Sequence, residues 1–521
     1  MSRRLLTLAI PFALGVVIIG HYNHELWSLF SSLRTPGARG RLGDALRNLN
    51  IPAKPLLISY ASNTTPTHLY DRLDYRHPTG QIPDTTAIVL NWSRFQNVAL
   101  IAGLLCGPWL DHTIAEVFVW NNSPHPISFE DFLGSGCSRK KLKIYNSPSN
   151  ILFQARFLAC SQANTPYCFI QDDDYLIRPE VIDSLHHRFV EFANHRPIHL
   201  LPAHEHLSSV LREVHSPDYA MHTSFAWLGH GAFLHQSRAT EFLALMGWLN
   251  CTEEELSMAD NYFTILSNQV PEIWVDQGIE LGGGQPFTIG TEGDIRNRKH
   301  IEKAAQHLDF LISESTRQIS EIPYFSTEDD YSNIPISRTP CVGASCVLET
   351  NIQLLPDGMS HVSHSAANIL AIEEENAHLL GEDGQRHYIG HPAAHAVDGK
   401  PDTNFTSPSS AQKGEWIMID ALQSLGSKWM AVEMVWLVDH WMEVILRGCN
   451  FESSADRENW TATPHVLSCQ DAVVETGKGF IECSMQIPVD GNGHQYFRAI
   501  LNHDIARPWR ISEVWLRGRG L

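Results

Sequence analysis

Short apolar, β-branched runs alternate with longer stretches whose apolar residues return every three or four positions from about residue 83 to 310. "TTAIVLNW", "AEVFVWNN", "LKIYN" and "YCFIQ" have the length and composition of strands, and Phe95 to Cys106 and Ile151 to Ala163 have helical spacing. Strands alternating with helices predict a parallel sheet covered on both faces. Ligands of such sheets bind beyond the carboxyl ends of the strands, where Arg94, Asn121, Asn122 and Asp172 to Asp174 fall. The pattern changes twice on either side. Residues 21–82 carry Pro, Gly, Ser and Thr without sustained periodicity and read as a stem, and residues 311–365 are polar and proline-punctuated and read as a linker. From 366 to 521 the runs "EWIMIDA", "WMAVEMVWLV", "GFIECSMQI", "QYFRAIL" and "ISEVWLRG" predict an all-β sandwich. No internal repeat is visible.

The first residues stand apart from all of this. Arg3 and Arg4 precede an uncharged, mostly apolar run from Leu5 to Gly20. That asymmetry holds the N-terminus in the cytosol and sends the remainder across, so residues 1–20 are expected to form a signal anchor. The chain is then a single-pass type II protein of the endoplasmic reticulum or Golgi membrane with a lumenal bulk. The competing reading is a cleaved signal peptide and a secreted product. Acceptor patterns for N-glycosylation at Asn63, Asn91, Asn121, Asn250, Asn404 and Asn459 are compatible with either route. The ten cysteines show no paired CxxC units of the zinc type, so disulfides are expected, with Cys341 and Cys346 in "CVGASC" the best local pair.

Charge narrows the partners. With 58 Asp+Glu against 38 Lys+Arg the formal net charge is −20, which opposes a phosphate-tracking surface and excludes nucleic acid as the expected ligand. Against that background "YCFIQDDDYLIRPE" stands out, because three consecutive carboxylates close an apolar strand. A solvated turn capping the helix that begins near Pro179 is the plain reading. At a strand end in an α/β sheet, however, one carboxylate can bind a divalent cation directly, a second through water, and a third can accept a ribose hydroxyl. A hard cation, Mn2+ or Mg2+, would bridge the acids to a diphosphate.

Those residues resemble the nucleotide-sugar glycosyltransferases of the GT-A fold, a Rossmann-like α/β fold. Within that fold the order of "VLNWSRFQNV", "VFVWNN", "NILFQARF" and "QDDDYLI" is similar to the exostosin-like family, glycosyltransferase family 64, over about residues 85–305. The resemblance implies a UDP-sugar donor transferred with retention. It also implies that Arg94, Asn122, Asn150 and Arg156 contact uridine and phosphate, that Asp172 and Asp173 hold the nucleotide, and that Asp174 and Asp172 hold the metal. Asp260 would stand near the transferred sugar, and Arg296, Arg298 and His300 would close over the diphosphate. The segment "HTSFAWLGHGAFLHQS" sits where that family shapes its acceptor pocket. Toward the C-terminus, "AAHAVDGKPDTNFTS", "GEWIMIDA" and "YFRAILNHDIARPWRISEVWLRG" resemble the discoidin (coagulation factor type C) domain, a galactose-binding-like jelly roll, which implies a carbohydrate ligand or a structural appendage.

Together these readings make the chain a metal-dependent transferase acting on a glycan or glycoprotein acceptor. Two rivals stand beside it: an adhesion protein with an inactive α/β domain, and a metal-dependent phosphoesterase. No histidine-rich second metal set follows the triplet, which counts against the phosphoesterase.

Overall fold

Strands β1 (Thr85–Asn91), β2 (Ile114–Asn121), β3 (Leu142–Asn146) and β4 (Tyr167–Gln171) form where the apolar runs predict them, with helices α1 (Phe95–Leu105) and α2 (Gln154–Ser161) between them. Their alternate side chains serve opposite faces. Ile88, Phe118 and Ile170 enter one core cluster, while Ala87, Val89, Val117, Val119 and Phe169 enter another, which is why these strands are apolar at nearly every position. Each such side chain contributes about 1.5–3 kcal/mol on burial. The computed structural model describes residues 44–49, 51, 58–60, 82–191, 196–218, 220–276, 278–283, 291–315, 322–326, 336–425, 429–464, 466–474, 477–488 and 493–520.

The α/β part continues through α3 (Pro179–Glu191), β5 (Ile198–Leu201), α4 (Ala203–Leu211), β6 (Ala232–His235), α5 (Gln236–Trp248), α6 (Asp260–Leu266), β7 (Glu272–Val275) and α7 (Thr291–Ser315). In space the strands run β3-β2-β1-β4-β6-β5-β7, parallel except for β6, which is antiparallel to both neighbours. One antiparallel strand therefore interrupts the otherwise parallel sheet that the alternation predicts.

The expected linker is not one. Its residues form β8 (Ser337–Pro340) and β9 (Val347–Thr350), with β8 parallel to β7 and β9 antiparallel to β11 (Trp416–Leu425) of the sandwich, which follows β10 (Phe405–Ala411). A single sheet of 13 strands thus runs from the α/β part into the sandwich. The Cys341–Cys346 disulfide closes the turn between β8 and β9, as its spacing suggests. Two further expectations are corrected. Within the stem, Ile58–Tyr60 pairs antiparallel with a sandwich strand, and Leu46 and Ile51 are buried against the α/β core. Within the all-β segment, Ile369–Gly390 is helical (α8), kinked at Gly381 with φ of 68°, and its Tyr388 hydroxyl lies 2.7 Å from His206 Nδ1 of α4.

A second sheet completes the sandwich. It holds Ile58–Tyr60, Ser468–Val474, Gly479–Pro488, Trp429–Val438, Ile505–Gly520 and β10, in that order. Trp436, Trp509, Phe497 and Ile417 fill the space between the sheets together with Leu348 and Ile352 from the segment expected to be linker. The seam with the α/β part carries a buried ionic belt. Arg457 donates to Glu349 at 2.6 Å and to Asp420 at 2.9 Å; Arg188 of α3 lies 3.6 Å from both carboxylates, and Arg338 lies 3.3 Å from Glu349. Burial alone would raise the Glu349 carboxyl, but Arg338, Arg188 and Arg457 bring it to about 2.

Three more disulfides join Cys106–Cys137, Cys160–Cys168 and Cys469–Cys483, while Cys251 and Cys449 are reduced. Three glycosylation patterns fall on buried amides: Asn91, Asn121 and Asn404 are 2 %, 0 % and 8 % exposed, so the folded chain has no room for a glycan there. Asn250 and Asn459 are exposed. Among the described residues no helix is long and apolar enough to cross a membrane, and the expected anchor, residues 1–20, and the acceptor Asn63 lie outside the described residues.

Because β8 and β9 close the sandwich core, a fragment of residues 336–521 is expected to give a cooperative thermal transition, whereas residues 366–521 lack Leu348, Ile352 and the partner of β11. Far-ultraviolet circular dichroism during heating checks this. An equally cooperative transition for the shorter fragment would show that β8 and β9 merely decorate the sandwich.

Candidate functional site

The ends of the parallel strands are tied first to one another. Asn91, Asn121 and Asn146 occupy the same register at the ends of β1, β2 and β3. Asn91 Nδ2 donates to Asn121 Oδ1, and Asn121 Nδ2 donates to Asn146 Oδ1, each at 2.7 Å. This ladder ties the three strand ends together, with Asn91 Oδ1 alone of its amide atoms lacking a partner among the described residues, and fixes the sheet edge on which everything else stands. Sequence reading placed Asn121 at this edge but missed the ladder, whose one local trace is an asparagine closing each of three strands.

Next to it the acid triplet leaves β4. Asp172 N–H donates to the Gly229 carbonyl at 2.9 Å, and its Oδ2 packs so closely on Gly229 that a Cβ there would lie 2.5 Å away. Any side chain at Gly229 would push the carboxylate out of place. Asn97 of α1 clamps the turn by donating to the backbone carbonyls of Asp173 and Gly282, both at 2.8 Å. Asp174 accepts from Leu281 N–H at 2.8 Å, and the following Tyr175–Leu176 pairs with Ile279–Glu280. The bland alternative, an acidic turn free in solvent, does not describe this segment.

Two arginines organise the acids. Arg156 is fully buried and lies between Asp172 Oδ1, at 2.7 Å, and Asp260 Oδ2, at 2.9 Å. Arg94 lies 2.8 Å from Asp173 Oδ1 and 3.4 Å from Asp174 Oδ2, and its Nε also donates to the Gly283 carbonyl. Four carboxylates therefore share two guanidinium groups. Burial raises the carboxyl of Asp173 despite Arg94, and burial with Asp172 beside it pushes Asp174 up to about 6. Burial likewise pushes Asp260 up to about 7, against the pull of Arg156. Asp174 is the most open of the triplet, with 35 % of its side chain exposed against 25 % for Asp172 and 13 % for Asp173.

Other residues singled out in the sequence sit differently. Arg156 was expected to contact uridine or phosphate; having no exposed surface and two carboxylate partners, it instead positions the acids. Asp260 was expected beside the transferred sugar; it is 2 % exposed at the start of α6, with Arg156 between it and Asp172. The Asn122 amide is committed to the fold, accepting from Trp120 Nε1 at 3.2 Å and donating to the Leu152 carbonyl at 3.2 Å. Asn150 is exposed, and its side chain accepts from Leu152 N–H at 2.9 Å in a turn where Leu152 adopts φ of 50°. On α7, Arg298 pairs with Glu374, and His300 is buried 2.9 Å from the Tyr262 hydroxyl, so neither is turned to the acids; Arg296 is half-buried on the same helix.

His230 lies in the segment "HTSFAWLGHGAFLHQS" expected at an acceptor pocket, but its partner Glu205 was missed. His230 follows Gly229, packs against Tyr175 with ring centroids 4.2 Å apart and planes tilted by 47°, and places Nε2 3.3 Å from Glu205 Oε2. Burial alone would lower this imidazole, but Glu205, with Asp174 and Asp172 beyond it, raises it above its ordinary value. No local pattern marks the pair, because Glu205 opens helix α4 and His230 lies 25 residues on, in the loop before β6. A cavity of about 670 Å3 lies elsewhere, at the seam, lined by residues such as Arg188, Arg338, Ile352 and Tyr388 and by none of the aspartates.

All four donors at the triplet and Asp260 are oxygens, which suits a hard divalent cation and not a soft one. No protein-family model matches the chain, and no curated protein does. Among solved structures it is similar to a mannosyltransferase from Pyrobaculum calidifontis in complex with GDP-Man and Mn2+, at 12% identity over 57% of this chain and 77% of that one, with a TM-score of 0.29. It is also similar to glucosyl-3-phosphoglycerate synthase from Mycobacterium tuberculosis with Mn2+, UDP and phosphoglyceric acid, at 9% identity over 43% and 78%, with a TM-score of 0.28. A third, CBM32-3 from a family 31 glycoside hydrolase of Clostridium perfringens, shares 20% identity over 24% and 81%, with a TM-score of 0.17.

Two outcomes follow from the geometry. Arg156→Met strands Asp260 in the interior and leaves half-buried Asp172 unpaired, and is expected to cost about 3–5 kcal/mol in urea denaturation; a loss below about 1 kcal/mol would mean the acids are solvated. Asp174 keeps its proton to about pH 6 in the fold, whereas the unfolded chain releases it near 3.8. The cost of its charge is thus absent below about pH 4 and complete only above the folded value. In metal-free buffer Asp174→Asn should therefore raise Tm above wild type at about pH 7.5, with the difference vanishing toward pH 4. A difference independent of pH would contradict the buried placement.

Proposed function

We propose that the chain is a metal-dependent glycosyltransferase of the GT-A class that moves a sugar from a UDP-sugar to a hydroxyl of a glycan or glycoprotein in the secretory pathway, with retention. One observation carries this reading. At the sheet edge four carboxyl groups outnumber the two guanidinium groups they meet, where an α/β sheet binds its ligand. A divalent cation offsets the repulsion that burial leaves among them.

Asp174, with Asp172 behind it, would hold the cation. When bound, such an ion neutralises a diphosphate and so lowers the barrier to its departure from the anomeric carbon. The chain's own residues prepare for this in three ways. Arg156 holds Asp172 and Asp260 in fixed directions, so no reorganisation is needed during the reaction. Arg94 holds Asp173 against the end of β1 and offers the charge that pairs best with phosphate oxygens. Asn97 and Gly229 lock the turn that aims Asp174 outward. As the bond from the anomeric carbon to the diphosphate oxygen breaks, the acceptor oxygen bonds to that carbon from the same face, and its proton passes to the departing phosphate.

The lumenal placement rests on Arg3, Arg4 and the apolar run from Leu5 to Gly20, and the four disulfides suit an oxidising compartment. The sandwich, joined edge to edge to the α/β sheet, would present a carbohydrate-binding surface fixed relative to the site.

Asp174→Asn is expected to lower Mn2+-dependent turnover of UDP-sugars by a factor on the order of 10²–10³. Hydrolysis and transfer assays on UDP-glucose, UDP-galactose, UDP-N-acetylglucosamine and UDP-N-acetylgalactosamine, with thermal unfolding as the control for folding, measure this. Undiminished turnover by the variant would remove the triplet from the reaction, and a wild type inert toward nucleotide sugars would favour the adhesion reading.

A further inference from the structure

Away from the aspartates, α7 meets the turn that leads into α6 at a second group of side chains suited to a cation. Cys251 ends the loop after α5, Thr252 caps the short helix Glu253–Ser257, and Glu255 stands in the first turn of that helix. From α7, Lys303 and His307, one helical turn apart, reach the same carboxylate. The Cys251 sulfur, a Glu255 oxygen and a His307 ring nitrogen all lie within 4.8 Å of one another. The nucleotide-sugar reading uses none of them.

Each member has a plain role that leaves part of it over. Glu255 Oε2 accepts from Thr252 N–H and from its hydroxyl, both at 2.7 Å, which closes a capping box. One oxygen suffices for the cap. The other, Oε1, is presented to α7, with His307 Nε2 at 2.9 Å and Lys303 Nζ at 3.0 Å. Cys251 stands outside the four disulfides, and its sulfur meets Met246 Sδ at 3.8 Å, a weak pairing. A thiol that served only as a small apolar filler would have no need of a carboxylate and an imidazole beside it. Around a tetrahedral Zn2+, with bonds of about 2.0–2.3 Å, neighbouring donor atoms stand about 3.3–3.8 Å apart, so these three need draw together only slightly.

We propose that Cys251, Glu255 and His307 bind a zinc ion that fastens α7 to the loop in front of α6. On binding, the Cys251 S–H bond breaks, the sulfur gives its electron pair to Zn2+ and the proton leaves to solvent. His307 gives the lone pair of Nε2 in the tautomer protonated at Nδ1. Lys303, whose side chain is partly exposed, turns outward, and water takes the fourth position. The donors differ in kind from those of the aspartate triplet: oxygens alone suit a hard cation, whereas thiolate and imidazole select a softer one. The tie also bears on the sheet edge. Helix α6 opens with Asp260, and the Ser257 carbonyl shortly before it accepts from the N–H of Phe153 at 3.1 Å, where α2 and its Arg156 begin. The zinc ion therefore braces the segment that carries Asp260, and it does so whether or not the donor is a nucleotide sugar.

Zn2+ and Co2+ are the probes, added to the full-length protein after removal of bound metal with a chelator. Co2+ is expected to give a near-ultraviolet thiolate charge-transfer band in wild type and in Asp174→Asn, and none in Cys251→Ser, which still contains the reduced Cys449. His307→Gln is expected to weaken Zn2+ binding by about a hundredfold in competition with a chromophoric chelator. Zn2+ at about a hundred times its Kd is expected to raise the Tm of wild type by about 3 °C more than that of Cys251→Ser. Alkylation of Cys251 by iodoacetamide, followed by mass spectrometry on wild type, is expected to slow by about tenfold or more in Zn2+. That measurement needs no variant, so it still reports if a substitution prevents folding. A cobalt spectrum without the thiolate band, a band that survives Cys251→Ser, or alkylation indifferent to Zn2+ would overturn the site and leave Glu255 a helix cap beside a packed thiol.

Discussion

Everything at the sheet edge depends on the buried guanidinium of Arg156. A carboxylate taken out of water costs several kcal/mol even after relaxation, and Asp260 is almost wholly enclosed. Arg156 offsets that cost for Asp260 and for Asp172 at once, because its planar fork can hold two carboxylates in fixed directions. The consequence is spatial as much as energetic. With Asp172 held from behind, the next two acids have only outward directions open to them; Arg94 takes Asp173, and Asp174 remains the exposed member.

A second ionic assembly does comparable work at the seam. Arg188, Arg338 and Arg457 meet Glu272, Glu349 and Asp420 where the α/β sheet becomes the sandwich sheet. Backbone pairing through β8 and β9 carries the same junction, so the two halves share hydrogen bonds as well as charges. A sandwich attached by a flexible tether would sample many orientations. This one holds its surface in one orientation relative to the aspartates, which turns a separate module into part of a single body.

How far the sequence disclosed these features depended on the range of the interactions involved. The strands of both domains were legible because their apolar patterns are local, and the aspartate triplet because its charge sits abruptly at a strand end. The disulfide of Cys341 and Cys346 was legible from its short spacing. Arg156 was noticed, but its role was misread, since its partner Asp260 lies far along the chain and no periodicity links them. Strands β8 and β9 were hidden by flanking polar and proline-rich sequence, four residues each being too short to show alternation. Helix α8 was absorbed into the all-β reading although Ser365 and Asn368 precede it and Gly390 and Pro392 close it, because the strand-like runs around it dominated and a glycine kinks it; its place is fixed by tertiary contacts, including Asn376 Nδ2 donating to the Leu211 carbonyl at 2.9 Å. The pairing of His230 with Glu205 was invisible for the same reason as the Arg156 pairing.

The central claim is that the uncompensated carboxylates await a cation shared with a nucleotide diphosphate. Calorimetric titration of wild type with UDP, in Mn2+ and again in excess chelator, tests it most directly. The account predicts that UDP binds only when Mn2+ is present and that UDP in turn strengthens Mn2+ binding by the same factor, as reciprocal linkage requires. Equal UDP affinity with and without the metal, or Mn2+ binding indifferent to UDP, would contradict it.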